Sequence, residues 1–523
     1  MLCESHLQHN NTLEPKSPPR PDRIAFWMGV ATLCLVLITG IFLHRTGVGG
    51  LDNDAYSYIG EAQWVLHKGF TGEVRPLTGN VPKPLLVLIY GVCWHIGQPG
   101  VLITILCAMI AGAVISLFVH IGALLCSRTA GIITAILGLV AFSTLEVALT
   151  ANSGLFLLLF ALLALHELLA LEPGRRRVRR VLVALTFAGL SRPEGWILYL
   201  LATLFLLRNE VRSEKASRRY LALLLLCVPF LSPLLDRLLF GDWLYGIHSF
   251  QYFSTRFLGL MAPASWQGAD WGRFGASLQG MLGNPISTFT LLFFACVGIW
   301  SLWKNSRTRL GFLLFPFSAI LLFHAHTFRY GFFAPRFVVV PWAILVLLSG
   351  VGLAELAKAL AIWRHKTRSY PFVKRLLPMT LSFAFCLLGG LCTMAFWART
   401  RRGVEVMHIF NAYTTEIVLH CNAPNRDNLR ILVDNAFYNP VQFHLSKPHT
   451  VLHRTLEEWN RETSLDQYDI ICPGTRSPRL ASLFAKIAQE GSRWQTYSYY
   501  PAQPLYIFVK RSTASAHVAF TKE

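Results

Sequence analysis

The chain has 523 residues, 53% of them hydrophobic and only 15% charged, with a mean hydropathy of +0.44 and a formal net charge of +20. A soluble chain of this length would divide into about three domains and carry far more charge, so the ordinary soluble class is excluded. The basic excess does not indicate nucleic acid: Lys and Arg gather in short clusters between apolar blocks, as in cytoplasmic loops, and no nucleic-acid motif is present.

Residues 1–23 are polar and carry Pro15, Pro18, Pro19 and Pro21, which predicts a short disordered cytoplasmic tail rather than a cleavable signal. Apolar blocks of about 20 residues follow, each long enough to cross a bilayer as a helix. They cover Ile24–Leu43, Val101–Leu125, Gly131–Leu149, Leu155–Leu171, Leu221–Phe240, Ile286–Trp303, Phe337–Leu360 and Leu377–Phe396, with a shorter block at Leu310–Phe323. Leu85–Ile96 is apolar but too short to span, and reads as a juxtamembrane or re-entrant helix. With Lys16, Arg20 and Arg23 inside, residues 45–100 form a first outer loop, and the chain returns to Arg128 and later to the run Arg175–Arg180.

A second basic cluster, Arg208 to Arg219, also belongs inside. Between the two clusters Ser191-Arg192-Pro193-Glu194-Gly195 interrupts the apolar stretch near its middle. Two short half-spans meeting at this Pro-Gly break satisfy both clusters and place Arg192 and Glu194 toward an outer cavity. Beyond it, residues 241–285 form a second outer loop, and the alternation leaves the chain from about residue 398 outside. The domains expected are a tail (1–23), a membrane domain (24–397) and an extracytoplasmic α/β domain (398–523). In the last, Leu429–Val433, Tyr468–Ile471 and Leu505–Val509 read as strands, and Glu405–His420 and Leu480–Gln489 as helices. The fold class is a multi-pass α-helical membrane protein with about ten or eleven spans, a re-entrant pair, a juxtamembrane helix and a small C-terminal α/β domain.

At least six of the eleven cysteines lie within spans, where they act as small hydrophobes, and no CxxC signals zinc. Cys421 and Cys472 in the last domain are either paired or free. The strongest candidate site is Leu51-Asp52-Asn53-Asp54-Ala55-Tyr56-Ser57-Tyr58, just outside the first span. Asp54 suits a helix N-cap, and equally a general base for an acceptor hydroxyl. A carboxylate near a lipid phosphate could also hold a divalent cation such as Mg or Mn. Lys83 and Arg336, taken as residues, suit interfacial anchors reaching the headgroups. Arg192, a charge in a broken span, is costly and so points to a site. His324, His326 and Arg329 read as an interfacial span end, and a metal site there is not expected. His248 and Tyr252 fit either an acceptor channel or loop packing. Asp434 reads as a turn residue.

In order along the chain, these segments resemble the GT-C superfamily of polyprenyl-phosphate-sugar glycosyltransferases, including its aminoarabinose, mannosyl and arabinofuranosyl transferases. The acidic residue beyond the first span resembles theirs. Val81-Pro82-Lys83-Pro84-Leu85 is similar to their Lys/Pro segment, and Ser191-Arg192-Pro193-Glu194-Gly195 to an "RPEG" break. Phe240-Gly241-Asp242-Trp243-Leu244 is similar to "YGDPLP", and Ala334-Pro335-Arg336-Phe337 with the residues after it to "RYLLPxxP". Asn53 separates Asp52 from Asp54 where relatives pair two acids, so either can be the base; Asp54 keeps the family spacing to Tyr58 and Ala62. The acid that relatives carry after "TGM" has no match here, and Glu146 is the candidate to replace it.

The resemblance implies inverting transfer of a sugar from a polyprenyl-phosphate donor to a glycan, lipid or protein acceptor at the outer face of a bacterial inner membrane. Asp54 or Asp52 would be catalytic, and Lys83, Arg192 and Arg336 would bind the donor phosphate. Glu194, Tyr58 and Glu146 would support them from behind. Two other classes stay open: a lipid-linked sugar transporter or flippase, and an inactive GT-C scaffold.

Overall fold

The computed structural model describes residues 23–45, 53–68, 73–75, 83–97, 99–140, 144–149, 151–170, 175–209, 228–253, 285–329 and 339–366 of the membrane part. In the last domain it describes 413–422, 428–434, 441, 445, 450–454, 465–475, 481–499 and 505–511. Asp52, Arg336, Tyr252's side chain, the expected span Leu377–Phe396 and most of the loop 241–285 lie outside the described residues, as do the side chains of Asp54, Glu146, His326, Arg329 and Asp434.

The apolar blocks form helices: α1 (Arg23–Arg45), α4 (Pro99–Leu125), α5 (Arg128–Val140), α6 (Thr144–Leu149), α7 (Ser153–Ala170), α12 (Pro285–Asn305), α13 (Arg307–Arg329) and α14 (Val339–Lys366). Between them lie α2 (Asn53–Lys68), α3 (Pro84–Ile96), α8 (Arg175–Ser191), α9 (Glu194–Asn209), α10 (Leu231–Phe240) and α11 (Tyr245–Phe253). Among the described residues, four helices, α1, α4, α7 and α14, are long and apolar enough to cross a membrane. The chain is an integral membrane protein, with shorter apolar helices completing the bundle.

Close helix crossings depend on small residues, as they do where lipid gives helices no hydrophobic drive to associate. A Cβ on Gly29 of α1 would stand 2.8 Å from the Gly112 carbonyl oxygen of α4, and one on Gly352 of α14 would stand 1.9 Å from the Phe294 carbonyl oxygen of α12. The core continues through these contacts as one buried apolar cluster from Ala25 to Leu353.

The break at Pro193 is a helical hairpin. α8 and α9 pack on each other around a turn of two residues, with Gly195 amide donating to Arg192 carbonyl at 2.9 Å. A Cβ on Gly195 would lie 2.1 Å from the Ala188 carbonyl carbon, so only glycine lets the two backbones meet there. With 17 and 16 residues, each arm is about 25 Å long, a little short of the hydrocarbon core, and both basic ends fall on one side.

The last domain is a five-stranded mixed sheet of order β2-β1-β3-β5-β4. Its strands are β1 (Arg430–Asp434), β2 (Thr450–Arg454), β3 (Ile470–Thr475), β4 (Trp494–Tyr499) and β5 (Leu505–Lys510). β1 pairs parallel with β2 and β3, and β5 pairs antiparallel with β3 and β4. Strand alternation sends Ile431, Val433 and Ile507 to one face, beneath helix α15 (residues 413–421). Leu432, Ile471 and Phe508 face α16 (Ala481–Gln489) on the other. The three expected strands are present, as is the helix expected at Leu480–Gln489; of the helix expected at Glu405–His420, residues 413–420 are helical and 405–412 lie outside the described residues. Two further strands, β2 and β4, occur where no alternating pattern stood out. Cys421 and Cys472 are free thiols, both fully buried, and burial pushes the Cys472 thiol well above its ordinary value, with Cys421 adding to the shift.

Candidate functional site

The segment after α1 forms α2 and α3, packed side by side. Lys83 stands immediately before α3 in an extended conformation, and Pro84 opens the helix with a pre-set φ and no amide to leave unsatisfied. The Lys83 side chain is only 8% exposed; its ammonium donates to the Tyr58 hydroxyl and lies 4.8 Å from that ring's centroid. A desolvated ammonium over a phenol gains from the ring quadrupole as well as from the hydrogen bond.

Asp54 is the second residue of α2, one turn before Tyr58. An i, i+4 spacing puts the two on one face, about 6 Å apart along the axis. Glu61 follows another turn along and is fully buried.

From Tyr58 a buried ladder runs into the bundle. Tyr58 meets Tyr90 edge-on at 5.9 Å, and Tyr90 meets Phe156 of α7 at 6.4 Å. The Tyr90 hydroxyl donates to the Ala151 carbonyl at 2.9 Å. Ala151 has φ 54, a left-handed residue that ends α6, and the Asn152 carboxamide then accepts the Gly154 amide at 2.8 Å to start α7. This corner presents Ser153, fully buried, to the hairpin.

At the hairpin tip Arg192 and Glu194 are 4% and 1% exposed. Arg192 Nη2 lies 2.6 Å from Glu194 Oε1, and its Nε is 3.1 Å and 3.2 Å from the two carboxylate oxygens. Its Nη1 donates to Ser153 Oγ at 3.0 Å. His324 Nε2 reaches Glu194 Oε1 at 3.1 Å from α13. The sequence places Arg192 and Glu194 toward an outer cavity and His324 at an interfacial span end. In the structure the three side chains are buried together, with the carboxylate between guanidinium and imidazole, where it offsets the charge that a broken span must accommodate. The signal for His324 was a histidine in an apolar span, which an interfacial reading explained equally well.

The segment after α10 begins as a capped corner. Gly241, with φ 77, ends α10, and the Asp242 carboxylate accepts the Leu244 amide at 3.0 Å and lies 2.6 Å from His248 Nδ1. Asp236 accepts the Gly246 amide at 2.8 Å. Burial pulls the Asp242 carboxyl upward, but the Leu244 amide and His248 outweigh it and hold it below the usual carboxylate range. His248 is thus part of this loop's packing. The corner touches the segment between α2 and α3: the Arg75 amide donates to the Phe240 carbonyl at 3.0 Å, and its guanidinium reaches the Gly60 carbonyl at 3.4 Å.

The structure thus joins Lys83 to Tyr58 and Arg192 to Glu194, linked through Tyr90 and the corner before α7. Asp54 stands one turn from Tyr58 on α2. Glu146 lies on α6, which runs into the Ala151 corner. Among the described residues, no three His, Cys, Asp or Glu side chains gather in a way that could hold a metal ion.

No family model matches the chain, and no curated protein matches it in sequence. The fold of the chain is nonetheless similar to that of solved membrane proteins. Among solved structures it is similar to ArnT from Cupriavidus metallidurans bound to undecaprenyl phosphate, with TM-score 0.54, 12% identity, 94% of this chain covered and 99% of that one. The same protein in the apo state gives TM-score 0.52 at 11% identity, over 93% of this chain and 99% of that one. The apo Archaeoglobus fulgidus oligosaccharyltransferase gives 0.48 at 12% identity, over 92% of this chain and 74% of that one, and carries no weight below. At such identities the likeness is one of fold.

Proposed function

We propose that the chain is an inverting glycosyltransferase that moves a sugar from a polyprenyl-phosphate donor to a glycan, lipid or protein acceptor on the outer face of a bacterial inner membrane. The observation that carries this reading is the buried Lys83 ammonium, held on Tyr58 one turn from Asp54, within a fold like that of a protein crystallised with undecaprenyl phosphate.

Asp54, or Asp52 beside it, takes the proton from the acceptor hydroxyl. The acceptor oxygen then bonds to the anomeric carbon as the bond from that carbon to the donor phosphate oxygen breaks, and polyprenyl phosphate leaves with the electron pair. Lys83 and Arg336 stabilise the charge that develops on the phosphate, as preorganised donors do where water is excluded. Arg192 is matched by Glu194 and Ser153, so its part is to fix the hairpin tip and present the remainder of its positive edge. Tyr58 orients Lys83, and Glu146 supports the corner before α7. A divalent cation at Asp52 and Asp54 belongs to the proposal only as an assay variable, with no step assigned to it.

The N-terminus lies inside and the domain from residue 398 outside, on the charge rule. Reconstitution in liposomes with a panel of radiolabelled polyprenyl-phosphate sugars tests the reading. Product or slow donor hydrolysis supports it; donor-independent movement of lipid-linked sugar across the bilayer favours a carrier, and donor binding without turnover favours a scaffold.

A further inference from the structure

After α10 the chain turns through a short, locked corner into α11. The Asp242 carboxylate accepts the Leu244 amide at 3.0 Å, Asp236 of α10 accepts the Gly246 amide at 2.8 Å, and the Tyr245 ring stacks on Phe240 at 4.5 Å. Tyr245 and Ser249, one turn apart, are fully buried and form the inward face of α11. The outward face is apolar: Trp243, Leu244 and Ile247 are 55%, 43% and 52% exposed. Leu244 and Ile247 share that face at an i, i+3 spacing, and Trp243 stands one turn before Ile247. From Trp243 through Thr255 the sequence carries no Asp, Glu, Lys or Arg.

The neighbouring helices carry exposed apolar stripes of their own. α10 turns Asp236, Leu239 and Phe240 inward and leaves Leu234 and Leu238, one turn apart, exposed. It packs on α3, which buries Leu86, Val87 and Tyr90 and exposes Leu88, Val92 and Ile96 at i, i+4 and i+8.

A helix facing water places charged and polar side chains outward, and large apolar residues exposed as a group mark a surface that something covers. In an integral membrane protein whose adjoining helices expose Leu, Val and Ile, that covering is lipid. α11 cannot cross the bilayer: its nine residues rise about 14 Å, less than half of the hydrocarbon core. A helix too short to span, uncharged, preceded by Trp and apolar on its outward face, suits the interfacial layer, where an indole is favoured and polar groups stay wet. The wet groups are present, since His248, with its Nδ1 on Asp242, and Arg237 are both exposed beside these residues. We infer that the α10–α11 corner is an interfacial anchor, with Trp243, Leu244 and Ile247 seated among the phospholipid headgroups and upper acyl chains. The Arg75 amide ties this corner to the segment between α2 and α3, so the anchor also holds that segment at the level of the bilayer surface. The inference stands apart from the transferase reading and does not depend on it.

Photocrosslinking of the full chain in nanodiscs of dioleoylphosphatidylglycerol and dioleoylphosphatidylcholine tests it, with p-benzoylphenylalanine in place of Trp243 and, separately, of Ile247. Mass spectrometry of the corner peptide is expected to show a phospholipid adduct at both positions. The same probe in place of Arg493, exposed in the last domain, is expected to show none. If the probe at Trp243 unfolds the chain, Leu244 takes its place. The fluorescence lost in Trp243→Phe gives the depth: lipid brominated high on the acyl chain is expected to quench it more than lipid brominated near the chain end. Absence of a lipid adduct at both positions overturns the inference. So does a covalent dimer, which would make the corner a contact between two copies, or a crosslink within the chain, which would show the face covered by another segment. Quenching by the deeply brominated lipid alone overturns it as well, because the indole would then lie in the hydrocarbon core.

Discussion

Replacing Glu194 by Gln preserves shape but leaves Arg192, 4% exposed, without its carboxylate. Breaking a buried ion pair from one side costs about 3–5 kcal/mol, because the remaining charge is stranded. Arg192→Met strands Glu194 in the same way, though His324 at 3.1 Å can compensate if it holds a proton, so this variant is expected at the lower end of that range. The double variant Arg192→Met with Glu194→Gln removes both charges. What remains is the loss of partners for Ser153 and His324, about 1–3 kcal/mol. The double variant should therefore be more stable than Glu194→Gln alone, a reversal that independent sites cannot produce. Equilibrium unfolding in mixed micelles, with free energies for wild type, both singles and the double, measures it. Singles within about 0.5 kcal/mol of wild type, or a double equal to their sum, would refute the network as the element that fixes the hairpin tip.

Other consequences follow from the same contacts. Lys83→Ala should lower kcat by about a hundredfold or more, the usual cost of losing one preorganised donor, while Tyr58→Phe loses less because the ring beneath the ammonium remains; single-turnover kinetics separates this from weaker donor binding. Gly195→Ala forces α8 and α9 apart at a 2.1 Å contact and should cost about 3 kcal/mol, against less than about 1 kcal/mol for the unstrained Gly311→Ala, both read by unfolding. The Asp242 carboxyl is held below its ordinary 3.8, so the corner's contribution to stability is complete above about that pH and is lost as pH falls through the lower folded value. Asp242→Asn should flatten the acid limb of a stability profile, and an unchanged limb would assign it to other carboxylates.

Much of this architecture was legible because the bilayer makes it so. A span must be apolar and about 20 residues long, and the positive clusters between spans report orientation. The hairpin at Pro193 followed from two basic clusters too close together for a single crossing, and α3 followed from an apolar run that was too short. What stayed hidden was non-local. Nothing near His324 in sequence announces Glu194, which is 130 residues away, and Ser153 reaches Arg192 only because Ala151 turns the chain with a positive φ. Gly131–Leu149 read as one span, whereas its described residues form α5 and the short α6 before that turn. β2 and β4 were missed for a related reason: Thr450–Arg454 and Trp494–Tyr499 mix polar residues into strands whose place is set by their neighbours β1 and β5. Within the site, Lys83 and Arg192 stood out as charges worth explaining, but the contacts described for them, a phenol in one case and a carboxylate in the other, needed the fold.

The most direct test of the central claim is donor turnover by Asp54→Asn in liposomes containing a polyprenyl-phosphate sugar, beside wild type and Asp52→Asn, with and without a divalent-cation chelator. The account predicts sugar transfer or slow donor hydrolysis by wild type and by Asp52→Asn, and its loss in Asp54→Asn with donor binding retained. Full turnover in Asp54→Asn would contradict Asp54 as the base, and a wild-type protein that neither binds nor turns over any donor would contradict the transferase itself.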